Sequence, residues 1–165
     1  MKRLITLPAM ALAALIASNS LAQTEYVTVD LEIDINKSAE EVWAKVGAFC
    51  DISDWMGLPC ELTSGSGEIG SVRSLLNGRI TEVLIGKTEL SYGYTMPAVD
   101  GQFYNLYHGF MEAKPVTAST SKMLYTLVWD VSNHPDQAAK NADIEGRTAT
   151  FSGALQSIKE YAEAE

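Results

Sequence analysis

Ile35-Asn36-Lys37-Ser38-Ala39-Glu40-Glu41-Val42-Trp43 is the stretch in which one backbone period gives way to another. Upstream, Tyr26 to Ile35 alternates: Val27, Val29, Leu31, Ile33 and Ile35 share one face and mostly polar residues the other, the mark of a half-buried strand. Asn36-Lys37 ends it. Ser38-Ala39-Glu40-Glu41 is a capping box, in which the Ser38 hydroxyl caps a helix start while Glu41 reaches back to the Ser38 backbone. Val42, Val46 and Phe49 then form a helical stripe with Trp43 beside it, and the helix is expected to stop near Cys50. Asp51 to Trp55 reads as a second short helix or turn, closed by Gly57 and Pro59.

Downstream the chain becomes a meander. Gly70 to Leu76 and Arg79 to Ile85 flank Asn77-Gly78, a strong hairpin signal. Glu89 to Met96, Phe103 to Ala113 and Met123 to Val131 are three further strands, and Glu61 to Ser64 is a weaker one. From Pro135 to Ala164 the pattern turns helical, with Ile144, Phe151, Leu155 and Ile158 on one face. Gly146 and Gly153 weaken this helix by about 1 kcal/mol each relative to alanine; they either leave space beneath it or allow close packing on the sheet. The order is strand, two short helices, about six strands and one long helix. An α+β fold, a curved antiparallel sheet wrapped around a terminal helix, satisfies it.

The 165 residues suit a single domain. Lys2 and Arg3, the nearly unbroken apolar run Leu4 to Ala17 and the small-residue site Ser20-Leu21-Ala22 predict a signal peptide over residues 1–22, leaving 23–165 as the domain. The apolar run is shorter than the roughly 20 residues a membrane span needs. The expected location is therefore the periplasm or the exterior, with no membrane anchor in the mature protein. The formal charge of −9 argues against nucleic acid and suits a cationic ligand or a basic protein partner. Export favours a disulfide between Cys50 and Cys60, the only cysteines; two separate buried thiols are the alternative.

The Asn77-Gly78 hairpin fixes a register. With a two-residue loop, Leu76 pairs with Arg79 and Arg73 lies directly across from Glu82, on a face shared with Leu75, Ile80, Ser71 and Leu84. Apolarity barely distinguishes this face from the one bearing Val72, Ser74, Thr81 and Val83. Tyr92 and Tyr94 share a face, as do Tyr107, Gly109 and Met111, opposite His108, Phe110 and Glu112.

These residues resemble a known family. Ile35 to Trp43 resembles the opening of the SRPBCC (START/Bet v 1-like) superfamily, and Phe49 with Trp55 resembles its Phe…Trp spacing. Gly70-Ser71-Val72-Arg73 is similar to its Gly-x-Val-Arg strand. Glu82-Val83-Leu84 is similar to its Glu-Arg-Leu strand, with Val83 in place of the arginine. Trp129 in Leu127-Val128-Trp129-Asp130 is similar to the penultimate element. The resemblance spans Tyr26 to Tyr161, with the polyketide cyclase/dehydrase and lipid-transport-like group as the nearest branch. Many relatives have His-Pro after the tryptophan; here Met56-Gly57 follows Trp55.

The resemblance implies a helix-grip fold with a cavity between sheet and terminal helix for a small hydrophobic ligand. It implies that Arg73 and Glu82 line that cavity as a charged pair, the alternative being a salt bridge on the outer face. It further implies that Tyr92, Tyr94, Tyr107 and Trp129 face the ligand, with Phe151 and Leu155 closing the cavity from the helix or serving as plain core. The superfamily spans carriers, receptors, cyclases and proteins without a settled role, so it does not imply one chemistry.

Enzymatic signals are sparse. His108 and Glu112 are too few for a metal site, and no His-Glu-x-x-His run, Ser/His/Asp set or phosphate loop occurs; neither a metal nor a cofactor is expected. Glu82 in a dry cavity serves as an acid or base only if its pKa rises, which Arg73 opposes. Three readings stand: a periplasmic carrier or sensor of a small hydrophobic molecule; a cofactor-free cyclase or dehydratase using Glu82 or a tyrosine; and, by resemblance to exported members that accompany periplasmic alcohol oxidation, an accessory protein docking to a basic oxidoreductase.

Overall fold

The computed structural model describes residues 24–97 and 106–164. The expected signal peptide, and Phe103 at the start of one expected strand, lie outside them. The elements are β1 (Tyr26–Ile35), α1 (Ala39–Val46), α2 (Ile52–Met56), β2 (Cys60–Ser64), β3 (Val72–Leu75), β4 (Ile80–Lys87), β5 (Ser91–Met96), β6 (Tyr107–Pro115), β7 (Ser121–Asp130) and α3 (Gln137–Glu163). All seven strands form one antiparallel sheet in the order β1-β7-β6-β5-β4-β3-β2. The first strand crosses to pair with the last, and the meander runs outward from there. One long helix lies against the concave face, so this is the helix-grip fold.

The junction after β1 forms as its residues dictate. Along β1 exposed and half-buried residues alternate until Ile35, which is fully buried. Ser38 Oγ accepts from Glu41 N at 3.2 Å while Glu41 Oε2 accepts from Ser38 N at 2.9 Å, completing the capping box. Ala39, Val42 and Val46 bury one side of α1. Lys45 Nζ donates to the carbonyls of Ala162 (3.3 Å) and Ala164 (2.6 Å), placing a cation at the C-terminus of α3. Cys50 and Cys60 are disulfide-bonded, their Cα atoms 5.5 Å apart, so the α1–α2 segment is tied to the edge strand β2.

The structure ends α1 at Val46, capped by Gly47, and not near Cys50, so Phe49 lies beyond the helix; it departs from the sequence expectations in three further places. The β3–β4 register places Arg73 opposite Glu82, but the ladder ends at Leu75–Ile80, one pair early. Leu76 and Arg79 belong to a four-residue turn in which Leu76 (φ 52°), Asn77 (φ 58°) and Gly78 (φ 92°) are all left-handed. Leu76 leaves the ladder because its N–H donates to the Pro59 carbonyl at 3.1 Å, which offsets the cost of its conformation. Second, α3 begins at Gln137, not Pro135: the Asp136 side chain accepts from Ala139 N at 2.8 Å and is the N-cap. Third, Gly146 and Gly153 face outward with open space around them. They neither make room beneath α3 nor allow closer packing.

Two other glycines carry the packing of the sheet. Tyr94 pairs with Gly109 and Gly93 with Phe110 across β5 and β6. On the concave side the Tyr94 ring lies over Gly109, where a Cβ would come within 2.3 Å of it; on the convex side Phe110 covers Gly93, with a Cβ at 2.6 Å. Each aromatic ring occupies the space left by the missing side chain.

Candidate functional site

Tertiary packing divides α3 into two halves. Ala154, Leu155, Ile158 and Ala162 are buried, whereas Ile144, Arg147 and Phe151 in the first half are only partly covered. Beneath that first half the sheet curves away and leaves a cavity of about 430 Å³. Its walls come from α2 and the segment after it (Ile52, Trp55, Met56, Leu58), from Leu75, Ile80, Tyr94 and Tyr125 on the sheet, and from Phe151 on the helix. The β3–β4 turn adds Leu76 and Arg79 at one side; Tyr107 and Arg147 line another part.

Glu82 is the buried acid in this lining, 5% exposed, and Arg73 stands beside it at 1%. Arg73 Nε and Nη2 both reach Glu82 Oε2 at 2.6 Å, and Nη1 donates to the Phe49 carbonyl. The guanidinium carbon lies 4.2 Å from the centroid of the Phe49 ring and 5.2 Å from that of Tyr94, so aromatic faces add to the ion pair. Burial raises the Glu82 pKa above its ordinary value; Arg73 opposes the rise without cancelling it. For Arg73 burial disfavours the charge, but surrounding groups, Tyr92 and Glu82 first, outweigh it and the guanidinium stays charged.

Tyr94 and Tyr125 are hydrogen-bonded hydroxyl to hydroxyl at 2.8 Å. Burial pushes both phenols well above the ordinary tyrosine value, so they remain neutral donors and acceptors in the cavity wall. A second polar cluster surrounds Asp143 on α3. Its carboxylate accepts from Trp129 Nε1 at 2.7 Å and from Arg147 Nε at 3.0 and 3.2 Å, and it lies 3.3 Å from His134 Nε2. Arg147 is stacked 5.2 Å from the ring centroids of both Tyr107 and Trp129.

Of the eight expected ligand-facing residues, Glu82, Tyr94, Tyr107 and Phe151 line the cavity. The other four are buried behind it. Arg73 backs Glu82, and Tyr92 packs edge-on against Phe49 at 5.7 Å and against Trp43 at 5.6 Å. Trp129 is fully buried beneath Arg147, and Leu155 belongs to the core. Sequence reasoning missed Tyr125, Arg147, Arg79 and the α2 wall. Parity reveals Tyr125, four residues before Trp129 on the same strand; helical spacing reveals Arg147, one turn before Phe151. Among the described residues no group of three or more His, Cys, Asp or Glu side chains is arranged to hold a metal.

Solved structures share this architecture at low identity. A protein of Nitrosospira multiformis superposes with a TM-score of 0.67 at 22% identity, covering 81% of this chain and 94% of its own. The ZhuI aromatase/cyclase of Streptomyces sp. R1128 gives 0.66 at 14% identity, covering 84% and 94%. Truncated norcoclaurine synthase of Thalictrum flavum gives 0.63 at 15%, covering 86% and 96%. These likenesses establish the fold. No curated protein matches the sequence significantly. The family described as polyketide cyclase / dehydrase and lipid transport matches residues 26–163, nearly the whole of the folded chain, and the protein belongs to that family, within the SRPBCC superfamily.

Proposed function

We propose that the protein binds a small, largely apolar molecule in the cavity between α2, the sheet and the first half of α3, and that it acts as a periplasmic carrier or sensor. The observation that carries this reading is the cavity itself: about 430 Å³, walled mainly by aliphatic and aromatic side chains, with a few fixed polar groups. That combination is typical of small-molecule sites. Family and fold fit either hydrophobic-ligand binding or cyclase/dehydrase chemistry.

The neutral, apolar dye N-phenylnaphthylamine tests the binding reading. It is expected to bind saturably, one per chain, with enhanced fluorescence. Thr150→Trp, at an exposed α3 position on the cavity lining, is expected to abolish the signal without lowering the melting temperature. Unsaturable binding, or binding indifferent to Thr150→Trp, rejects the cavity as the site. Native mass spectrometry of protein taken directly from cells is expected to show a retained small molecule. For location, exported protein is expected to begin at Gln23.

The enzyme alternative has one specific observation in its favour: Glu82 lines the cavity with a raised pKa. A carboxyl shifted this way moves closer to the range in which it can exchange protons with a bound molecule. Turnover of a retained ligand that is lost in Glu82→Gln, with binding preserved, selects this alternative.

A further inference from the structure

We propose that the molecule held in the cavity is a neutral amphiphile with a terminal hydroxyl, which enters hydroxyl first and is held between Glu82 Oε1 and the Tyr94–Tyr125 hydroxyl pair. This rests on the proposed function and specifies its ligand class. Glu82 spends only one of its two oxygens on the protein. Arg73 Nε and Nη2 both reach Oε2 at 2.6 Å, and among the described residues nothing donates to Oε1. Nor is Oε1 sealed in the core without a partner, so it opens onto the cavity that Glu82 lines. The tyrosine pair has one hydrogen to spare. Of two phenols bonded to each other at 2.8 Å only one donates within the pair, and neither has a further hydrogen-bond partner among the described residues. The site thus offers one acceptor and one donor. A hydroxyl matches both, donating to Oε1 and accepting from the phenol.

Glu82 and Tyr94 rise from one face of neighbouring strands. Leu84 pairs with Tyr94 and Val83 with Thr95, so Glu82 is the diagonal neighbour of Tyr94. Such positions lie about 7–8 Å apart, within reach of long side chains. The Glu82 charge contributes to the raised pKa of both Tyr94 and Tyr125, in keeping with three groups around one space. All three are buried, whereas Arg79 and Thr150 on the same lining are exposed. The matching donor and acceptor are therefore on the inside of the cavity, which sets the orientation of the ligand. The buried charges are already paired: Arg73 with Glu82, and Arg147 with Asp143 at 3.0 Å. An ion entering here gives up its hydration without gaining a counter-charge. An ether or ketone sets a lone pair against Oε1 and leaves the carboxylate oxygen unsatisfied. A site built to hydrogen-bond a hydroxyl discriminates against the analogue that lacks it.

The test compares 1-octanol with its isomer heptyl methyl ether, and with octanoate and octylammonium, by calorimetric titration of the mature protein at neutral pH. The ether can accept a hydrogen bond but cannot donate one. Octanol is expected to bind at least about tenfold more tightly than the ether, the effect of one hydrogen bond to a charged acceptor, and more tightly than either ion. Glu82→Gln is expected to reduce the preference for octanol over the ether to about threefold or less. Tyr94→Phe with Tyr125→Phe is expected to weaken octanol and the ether alike, because both lose their donor, and to leave the preference in place. Equal binding of octanol and the ether overturns the hydroxyl class while leaving the cavity reading intact. Tightest binding of octylammonium or octanoate overturns the neutral class. Binding of none of the four overturns the cavity reading as well. A preference for octanol that survives Glu82→Gln unchanged, or affinities unchanged by the double phenylalanine substitution, removes that group from the site. The four probes on the unaltered protein decide the ligand class even where Glu82→Gln fails to fold.

Discussion

Glu82→Ala is the perturbation that most directly tests how the site is held together. Arg73 is 1% exposed and has two nitrogens on Glu82 Oε2 at 2.6 Å. Removing the carboxylate leaves a guanidinium that cannot lose its proton and has lost its counter-charge. Its other contacts, the Phe49 carbonyl and the ring faces of Phe49 and Tyr94, do not neutralise it. Breaking a buried pair in this way costs about 3–5 kcal/mol. At about 3 °C per kcal/mol for a domain of this size, the melting temperature falls by roughly 10–15 °C. Arg73→Met alone is expected to cost a similar amount, because it strands Glu82 and also leaves the Phe49 carbonyl without its donor. Arg73→Met with Glu82→Leu removes both charges, and only the carbonyl's lost partner, about 1–3 kcal/mol, remains. The double mutant should therefore be more stable than either single mutant. Thermal and urea unfolding of the four proteins measure this coupling. Glu82 also sets a pH slope. Its folded pKa is raised above the ordinary 4.5 by burial, so its favourable contribution is complete below that value and declines as pH rises through the folded value. Glu82→Gln is expected to remove that slope. Single mutants within about 1 kcal/mol of wild type, with additive effects, would refute a desolvated, mutually dependent pair.

Other outcomes follow from the same geometry. Tyr92, Tyr94 and Tyr125 have raised pKa values through burial, so the stability tied to their neutral forms is full below the ordinary 10.0 and lost above it; in an alkaline titration followed by phenolate absorbance, at least three of the seven tyrosines should ionise only as the protein unfolds. Gly109→Ala places a Cβ 2.3 Å from the Tyr94 ring, and the expected result is a loss of about 1–3 kcal/mol together with weakened dye binding as the Tyr94–Tyr125 hydroxyl bond breaks; unchanged stability and binding would show that the ring has room to move. Reducing Cys50–Cys60, ten residues apart, should lower stability by about 2–3 kcal/mol in chemical unfolding with and without reductant. Asp143→Ala should release Arg147 and the Trp129 indole N–H, seen as a change in tryptophan emission.

The capping box at Ser38 and Glu41, the alternation of β1 and the Asn77-Gly78 hairpin are local rules. The first two are satisfied within a few residues, and the third holds for the register though not for the two-residue loop, so the strand–helix–meander–helix order and the Arg73–Glu82 pairing were legible in the sequence. Parity grouped Tyr92 with Tyr94 and Tyr107 with Met111, but only the family resemblance turned those faces toward the cavity. The face on which Arg73 and Glu82 lie could not be decided locally, because both faces of that hairpin have similar polarity. It became the inner face only when α1, α2 and α3 covered it. The division of the tyrosines had the same origin: Tyr92 and Tyr94 share a face, yet Trp43 and Phe49 from the α1 region cover Tyr92 and leave Tyr94 at the cavity. Leu76 left the ladder for a carbonyl at Pro59, seventeen residues earlier in the chain. Arg147 became part of the site because Trp129, Tyr107 and Asp143 surround it from three elements. Sequence periodicity determines which residues share a face; which part of that face is filled by neighbours, and which is left as a cavity, depends on distant segments meeting in space.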